Sequence, residues 1–207
     1  MSTATFINLP AEKRERILKA AIEEFGQRNL AEGNLANIVR AADIPRGSLY
    51  QYFKTKDDLY VYLFETLRAE RAEYVKPAFE LYKKEPFLRF FEAFYLRDSE
   101  YLLMHPSHIK LGQKLYSGGD NTSLGLIKRI QSRYNEWFLI GIDYDKDRGL
   151  IDRGVDSTVL ADLCTHFVTD IFIFQSVHTQ FSMANIRDYC KKTVGIIENG
   201  VAAGRVV

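Results

Sequence analysis

Apolar residues along this chain recur at helical spacing almost throughout. No stretch combines sustained alternation with a hairpin turn, so an all-α protein is expected. The first helix is expected to open near Pro10, where proline suits a first turn and Glu12 favours the helix dipole. Ile17, Leu18, Ala21, Ile22 and Phe25 then form its apolar stripe, which fades by Asn29. A second, short helix starts at Asn34, a good N-cap, and buries Leu35, Ile38 and Val39. A tight turn at Ala42-Asp43-Ile44 leads to a third helix from Pro45. Thr55 is the expected N-cap of a fourth helix, with Asp58 placed near a capping-box position. Leu59, Tyr62, Leu63, Thr66 and Leu67 lie along one side of that helix. It is expected to run past residue 70 and to bend or break near Pro77.

Pro86 opens the next helix, and His105-Pro106 marks a boundary after Met104. Helical spacing resumes over 107–116, stops at Ser117-Gly118-Gly119, and returns over about 122–141. A polar loop from Asp143 to Gly154 precedes two last helices, near 156–178 and 183–203. The expected organisation is an N-terminal helix-turn-helix domain, residues 1–54, joined to a helical domain spanning 55–207.

Composition narrows this picture. At 207 residues, with 46% hydrophobic and 27% charged residues, the chain reads as ordinary globular protein. Two cysteines, Cys164 and Cys190, without close spacing, argue against a disulfide scaffold or zinc site and for a reducing cytoplasm. No basic-then-apolar leader opens the chain, and uninterrupted apolar runs such as Phe138-Leu139-Ile140 are far too short to span a bilayer. No membrane partner is expected. Net charge is only +1, but residues 1–56 carry nine Lys/Arg against six Asp/Glu, and the rest carries nineteen against twenty-one. A basic N-terminal part has the sign that phosphate contact requires.

Two short helices joined by a tight turn form the skeleton of a DNA-reading helix-turn-helix. The first brace helix must bury its apolar side against Ile44 and Leu49, leaving the start of the second free for base edges. Pro45, Arg46, Gly47, Ser48 and, one turn on, Gln51 occupy that position. Arg46 suits a guanine edge, Gln51 an adenine edge, and Gly47 permits close backbone approach. Tyr50, Tyr52, Lys54 and Lys56 are candidate phosphate contacts, with Asn34 and Leu35 at the start of the brace helix. The start of the fourth helix, near Thr55 and Lys56, offers free backbone N–H groups to a phosphate. Leu49 and Phe53 are expected to pack.

These residues resemble the TetR/AcrR-type transcriptional regulators. The resemblance runs from Arg16-Ile17-Leu18 through Ala21, Phe25, Ile38 and Ala41-Ala42. It is most specific over Gly47-Ser48-Leu49-Tyr50-Gln51-Tyr52-Phe53-Lys54-Thr55-Lys56-Asp57-Asp58-Leu59, and covers about residues 10–63. Three positions depart from the family pattern. Asn29 and Asp43 stand where glycine is usual, and both residue types tolerate a left-handed conformation. Pro45 stands where serine or threonine is frequent and cannot supply a hydroxyl to a cap or a phosphate.

After residue 50 aromatic residues are dense. Phe87, Phe91, Phe94 and Tyr101 share helical spacing, with Phe90 and Tyr95 alongside, and later helices add Tyr116, Trp137, Phe138, Phe167, Phe172 and Phe174. Two readings stand: an aromatic core, or a cavity for a lipophilic or aromatic small molecule. The resemblance implies such a pocket, with Phe90, Phe94, Tyr101, Trp137, Phe167 and Phe172 as candidate lining. The helix near 156–178 is apolar around much of its circumference and needs cover on both sides. A four-helix interface between two copies would supply it, as the resemblance also implies. Candidate dimer contacts are Leu160, Leu163, Phe174 and Tyr189, with Ile186, Val194 and Ile197 on the same final helix. A dimer is also needed because one short recognition helix reads too few bases.

Other chemistry finds little footing. Asp143, Asp145 and Asp147 mimic the opening of a calcium loop, but Arg148 and Gly154 stand where the turn glycine and bidentate glutamate belong. Asp162, His166 and Asp170 share a helix face and read as an interfacial hydrogen-bonding strip before a metal site. His105 and His108 read as a cap and a surface residue. No nucleophile or phosphate loop has a recognisable context, so neither catalysis, a metal nor a cofactor is expected. The functional expectation is a homodimeric, ligand-responsive regulator, a repressor of a near-palindromic operator in double-stranded DNA. The alternative is a helical dimer that senses a ligand or binds a protein without reading DNA.

Overall fold

A computed structural model describes residues 4–178 and 181–200, and no strand occurs among them. The helices are α1 (Ala4–Ile7), α2 (Ala11–Gln27), α3 (Leu35–Ala41), α4 (Ser48–Tyr52), α5 (Lys56–Phe79) and α6 (Phe87–Met104). They continue with α7 (Pro106–Gly118), α8 (Asn121–Asp147), α9 (Ser157–His166), α10 (Phe172–His178) and α11 (Met183–Asn199). A π-helical segment, Phe167–Ile171, joins α9 to α10.

Several boundaries follow from local chemistry. The Asn34 side chain accepts the Ala36 N–H at 2.9 Å and starts α3. The Thr55 hydroxyl accepts the Asp58 N–H at 3.0 Å and starts α5. Gly119 ends α7 in the left-handed conformation, φ 70°. Pro77 lies in the last turn of α5 without ending it sooner.

Other boundaries differ from the sequence expectation. A short turn of helix, α1, precedes Pro10; its Phe6 is fully buried. The third helix starts at Ser48, because Pro45, Arg46 and Gly47 form a turn closed by the Ser48 N–H on the Pro45 carbonyl at 2.9 Å. Helix α8 continues through Asp143, Asp145 and Asp147, so the expected loop begins later. Asp145 is buried there and accepts the Phe87 N–H at 2.6 Å, capping α6 across 58 residues. The end of the last expected helix, residues 201–203, lies outside the described residues.

The chain divides into two compact units that do not follow chain order. The first holds the described residues up to Ala72 together with His105–Ile130. The second holds Glu73–Met104 and the described residues from Gln131 onward. In the first, α2 packs against both α3 and α7, and α1 lies against α4. Its core gathers Ile17, Phe25, Ile38, Leu49, Phe53, Leu59 and Leu111. In the second, α6 packs along α11.

One helical stretch, Ser157–Val177, is long and apolar enough to cross a membrane by length and composition, with mean hydropathy 1.4. It contains no long uninterrupted apolar run, because Asp162, His166 and Asp170 punctuate it. The core helix of a folded domain satisfies the same criterion, and 44% of its most apolar window is buried within the protein.

Candidate nucleic-acid interface

The candidate interface is assembled from three short pieces, the loop before α3, the turn before α4 and the start of α5. The loop before α3 is too short to hold its own direction and is tied to α2. The buried carboxylate of Glu24 accepts the Asn34 N–H at 2.8 Å and the Asn37 amide at 3.1 and 3.2 Å. It also pairs with Arg28 at 3.1 Å. Glu24 thereby anchors the first turn of α3 to α2. Nothing local in the sequence marks this role, because its partners lie 10 and 13 residues away.

The α2–α3 loop is pressed close. A side chain on Gly33 would meet the Phe25 ring at 2.6 Å, so only glycine fits there. Asn29 is not left-handed, contrary to the expectation for a glycine substitute. Instead its side chain accepts the Glu32 N–H at 3.0 Å and shapes the loop as a turn. Asp43 does adopt the left-handed conformation, φ 51°, that the turn requires.

Ile44 and Leu49 are buried against this frame. Pro45, Arg46, Gly47, Tyr50, Gln51 and Lys54 are exposed, and Ser48 is half-buried. Tyr50 stands out most, at 61% exposure, which a tyrosine in a packed role would not show. An open groove of about 340 Å³ runs beside it, lined by Asn34, Leu35, Arg46, Tyr50 and Lys56, with Glu32, Gly33, Ala36 and Val39 completing the walls. Five of the candidate DNA contacts therefore meet in one depression.

Two candidates are placed differently from the sequence expectation. Tyr52 is turned inward, with its ring 5.7 Å from Phe6 and Lys13 over its face at 5.9 Å. On a five-residue helix the face a residue presents is set by tertiary packing, here by Phe6 from outside the motif. Lys56 sits at the groove edge with its ammonium donating to the carbonyls of Ala31 and Gly33, both at 2.9 Å. It ties the loop to α5 as well as carrying charge.

Residues 17–63 match the family described as bacterial regulatory proteins, tetR family. The chain is also 37% identical over 54 residues to the HTH-type transcriptional regulator AcrR of Shigella flexneri. That match covers 26% of this chain and spans a quarter of the relative's length. Residues 17–63 thus carry a segment of tetR-family type, and the rest of the chain lies outside that match.

Solved structures of transcriptional regulators share its fold along nearly the whole length. A TetR family transcriptional regulator from Chloroflexus aurantiacus aligns with TM-score 0.70 and 20% identity, covering 97% of this chain and 98% of that one. FadR from Bacillus subtilis, solved with stearoyl-CoA, aligns with TM-score 0.74 and 16% identity, covering 91% and 99%.

In the second unit, the six candidate ligand residues fall into three groups. Phe90, Phe94 and Trp137 all meet Phe79, at 5.5, 5.6 and 4.9 Å. Phe167 and Phe172 flank Tyr95, at 4.6 and 6.3 Å. Tyr101 lies apart, 5.5 Å from Tyr74. All are buried except Trp137, which is half-buried. Polar groups are set among these rings: the Tyr95 hydroxyl donates to Gln175 at 3.3 Å, and the Thr165 hydroxyl is buried with no hydrogen-bond partner among the described residues. Burial pushes the pKa of Tyr95 up, so it remains a neutral donor. The π segment begins just after Thr165, where Thr169 donates its hydroxyl to the Thr165 carbonyl at 2.8 Å. Such segments interrupt the regular ladder and recur at functional sites.

Of the candidate dimer contacts, Leu163, Phe174 and Tyr189 are exposed, while Leu160 is buried within the protomer. Val159, Val177 and Ile196 are exposed as well, whereas Ile186 and Val194 face inward. Within the same α9–α10 stretch, His166 pairs with Asp170 at 2.6 Å and Asp162 accepts from Asn135 at 2.6 Å. Gln131 donates to the other Asp170 oxygen at 3.0 Å. These polar groups are engaged with one another and not gathered around a common centre.

Proposed function

We propose that this chain is a DNA-binding, ligand-responsive transcriptional regulator, acting as a repressor that a lipophilic or aromatic small molecule releases from its operator. The observation that carries this reading is the convergence of Arg46, Tyr50, Asn34, Leu35 and Lys56 on one open groove within the TetR-family domain. Residues 1–54 read DNA, and residues 55–207 dimerise and hold the effector. Arg46 forks onto a guanine edge, Gln51 pairs with adenine, and Gly47 and Ser48 let the backbone approach. Tyr50, Lys54 and Lys56 contact phosphates, with Lys56 also holding the α2–α3 loop through the carbonyls of Ala31 and Gly33.

Two copies present their recognition helices to successive major grooves about 34–36 Å apart. The exposed Leu163, Phe174 and Tyr189 form the apolar part of the dimer contact, around the His166–Asp170 strip. The effector binds among the aromatic residues of the second unit, where Tyr95, Gln175 and Thr165 offer the few polar groups such a site needs. The stearoyl-CoA complex of the Bacillus subtilis neighbour supports a lipophilic effector. Binding that favours the DNA-free state by ~1–3 kcal/mol is enough to shift occupancy.

The test begins with selection of duplexes from a random library, followed by binding of Arg46→Ala and Lys56→Ala across several salt concentrations. Arg46→Ala is expected to lose about 1–3 kcal/mol of discrimination at one base pair. Lys56→Ala weakens all duplexes alike and flattens the salt slope. A wild-type protein that binds no duplex at low salt overturns the reading in favour of a sensor without DNA. Mass spectrometry of small molecules carried through native purification identifies the effector class.

A further inference from the structure

We infer that α1 is a positioning element for the recognition helix, and that Phe6 sets base discrimination by α4 without reaching the DNA itself. The inference rests on the DNA-reading function proposed above. Helix α4 has five residues, little more than one hydrogen-bonded turn, and such a helix has no stiffness of its own. Its direction is set by what its buried side chains lean on. At its centre Leu49 enters the core shared with Ile38 and Val39. At its far end Tyr52 and Phe53 lean on Phe6, with ring centroids 5.7 and 4.7 Å away.

Phe6 also meets Tyr62 of α5 edge-on at 5.3 Å, and Tyr62 meets Phe53 at 5.6 Å. Four rings thus join α1, the end of α4 and the first turns of α5. Helix α1 has only four residues and cannot be held by its own ladder. It is held by the buried Phe6 ring and by Arg14, whose guanidinium donates to the Ile7 carbonyl at 2.7 Å.

Base-edge hydrogen bonds tolerate little displacement, on the order of half an ångström and 10–20°. Charged contacts to phosphates are far more forgiving. Loss of the Phe6 ring lets the end of α4 settle into the space left behind and turns Arg46 and Gln51 away from their base edges. Lys54 and Lys56 keep their charges near the backbone. Specific binding should therefore fall while non-specific binding persists.

The experiment uses the full chain and a duplex selected by the wild-type protein, with a scrambled duplex of equal length as the reference. The readout is the ratio of the two affinities at one salt concentration, at a temperature where circular dichroism shows every variant folded. Phe6→Ala should lower that ratio about tenfold, the equivalent of one base contact, with scrambled-duplex affinity unchanged. Phe6→Leu should restore it to within about threefold of wild type, because it refills most of the volume. Arg14→Gln, which frees the end of α1 without opening the core, should lower it by about threefold and serves if Phe6→Ala does not fold. An unchanged ratio in Phe6→Ala, or in Arg14→Gln where Phe6→Ala is unfolded, would show that α1 only adds stability and would overturn the inference. A wild-type protein that selects no duplex would instead overturn the DNA-reading function, and this inference with it.

Discussion

The two compact units use aromatic rings for opposite ends. In the first, the Phe6 ring sits where elements too short to stand alone meet, against Tyr52 and Phe53 at the end of α4 and Tyr62 of α5. In the second, rings from long helices pack on one another as a continuous fill, with Phe91 touching Phe87, Phe138 and Phe167. A ring at a join fixes a direction, whereas a ring in a fill occupies volume. The first kind governs where surface groups point, and the second governs how stable the unit is. Substitutions in the two units should therefore separate stability from recognition.

The largest effect is expected at Phe91, which is fully buried among three rings. Phe91→Ala should destabilise the second unit by about 3–5 kcal/mol while leaving the base preference of the folded protein intact. Urea unfolding and the selected-to-scrambled affinity ratio read the two quantities separately. A loss under about 1 kcal/mol would mean that the rings around Phe91 are slack, and the contrast between fill and join would not hold.

Glu24 is the polar counterpart in the first unit. Glu24→Ala leaves the Asn34 N–H and the Asn37 amide without their acceptor and should cost about 1–3 kcal/mol. Glu24→Gln keeps one carbonyl acceptor and should cost less. Because the anchored turn lines the groove, both should also weaken DNA binding. If neither variant loses more than about 0.5 kcal/mol, the apolar face of α3 alone holds it in place.

Legibility in the sequence follows the same division. The caps at Asn34 and Thr55 were readable because side chain and N–H lie within three residues. The positive φ at Asp43 was readable for a similar reason, since few residue types accept it. The exposed set from Pro45 to Gln51 followed from helix period and chemistry. What escaped was everything fixed at a distance. Helix α1 is too short to show a period, so neither Phe6 nor the inward turn of Tyr52 had a signal. Asp145 carries a charge and sits in a polar stretch that suggests a loop, but its partner is a backbone N–H 58 residues away. The packing of α7 beside α2 joins segments about 90 residues apart in sequence, which no local pattern reveals. In the second unit the aromatic density was visible, but a fill and a pocket have the same composition.

The smallest predicted effect concerns pH and distinguishes the units by their titrating groups. Burial, then the neighbouring charges of His105 and Arg71, pull the pKa of His108 down to about 4. In the unfolded chain the same imidazole titrates near its ordinary value of about 6.5. Between those values the unfolded state binds the extra proton, so stability is fully present above about pH 6.5 and is lost as pH falls towards 4. His108 retains part of its exposure, and solvent screening reduces the expected loss to about 1–2 kcal/mol. The second unit has no counterpart at Cys164 or Cys190, whose thiols burial pushes up to about 12 and which stay neutral throughout this window. Urea midpoints at pH 7.5 and 4.5 for wild type and His108→Gln measure the difference directly. The variant should lose less stability on acidification than the wild type. Equal losses would show that the half-buried His108 of α7 is not what makes the first unit sensitive to acid.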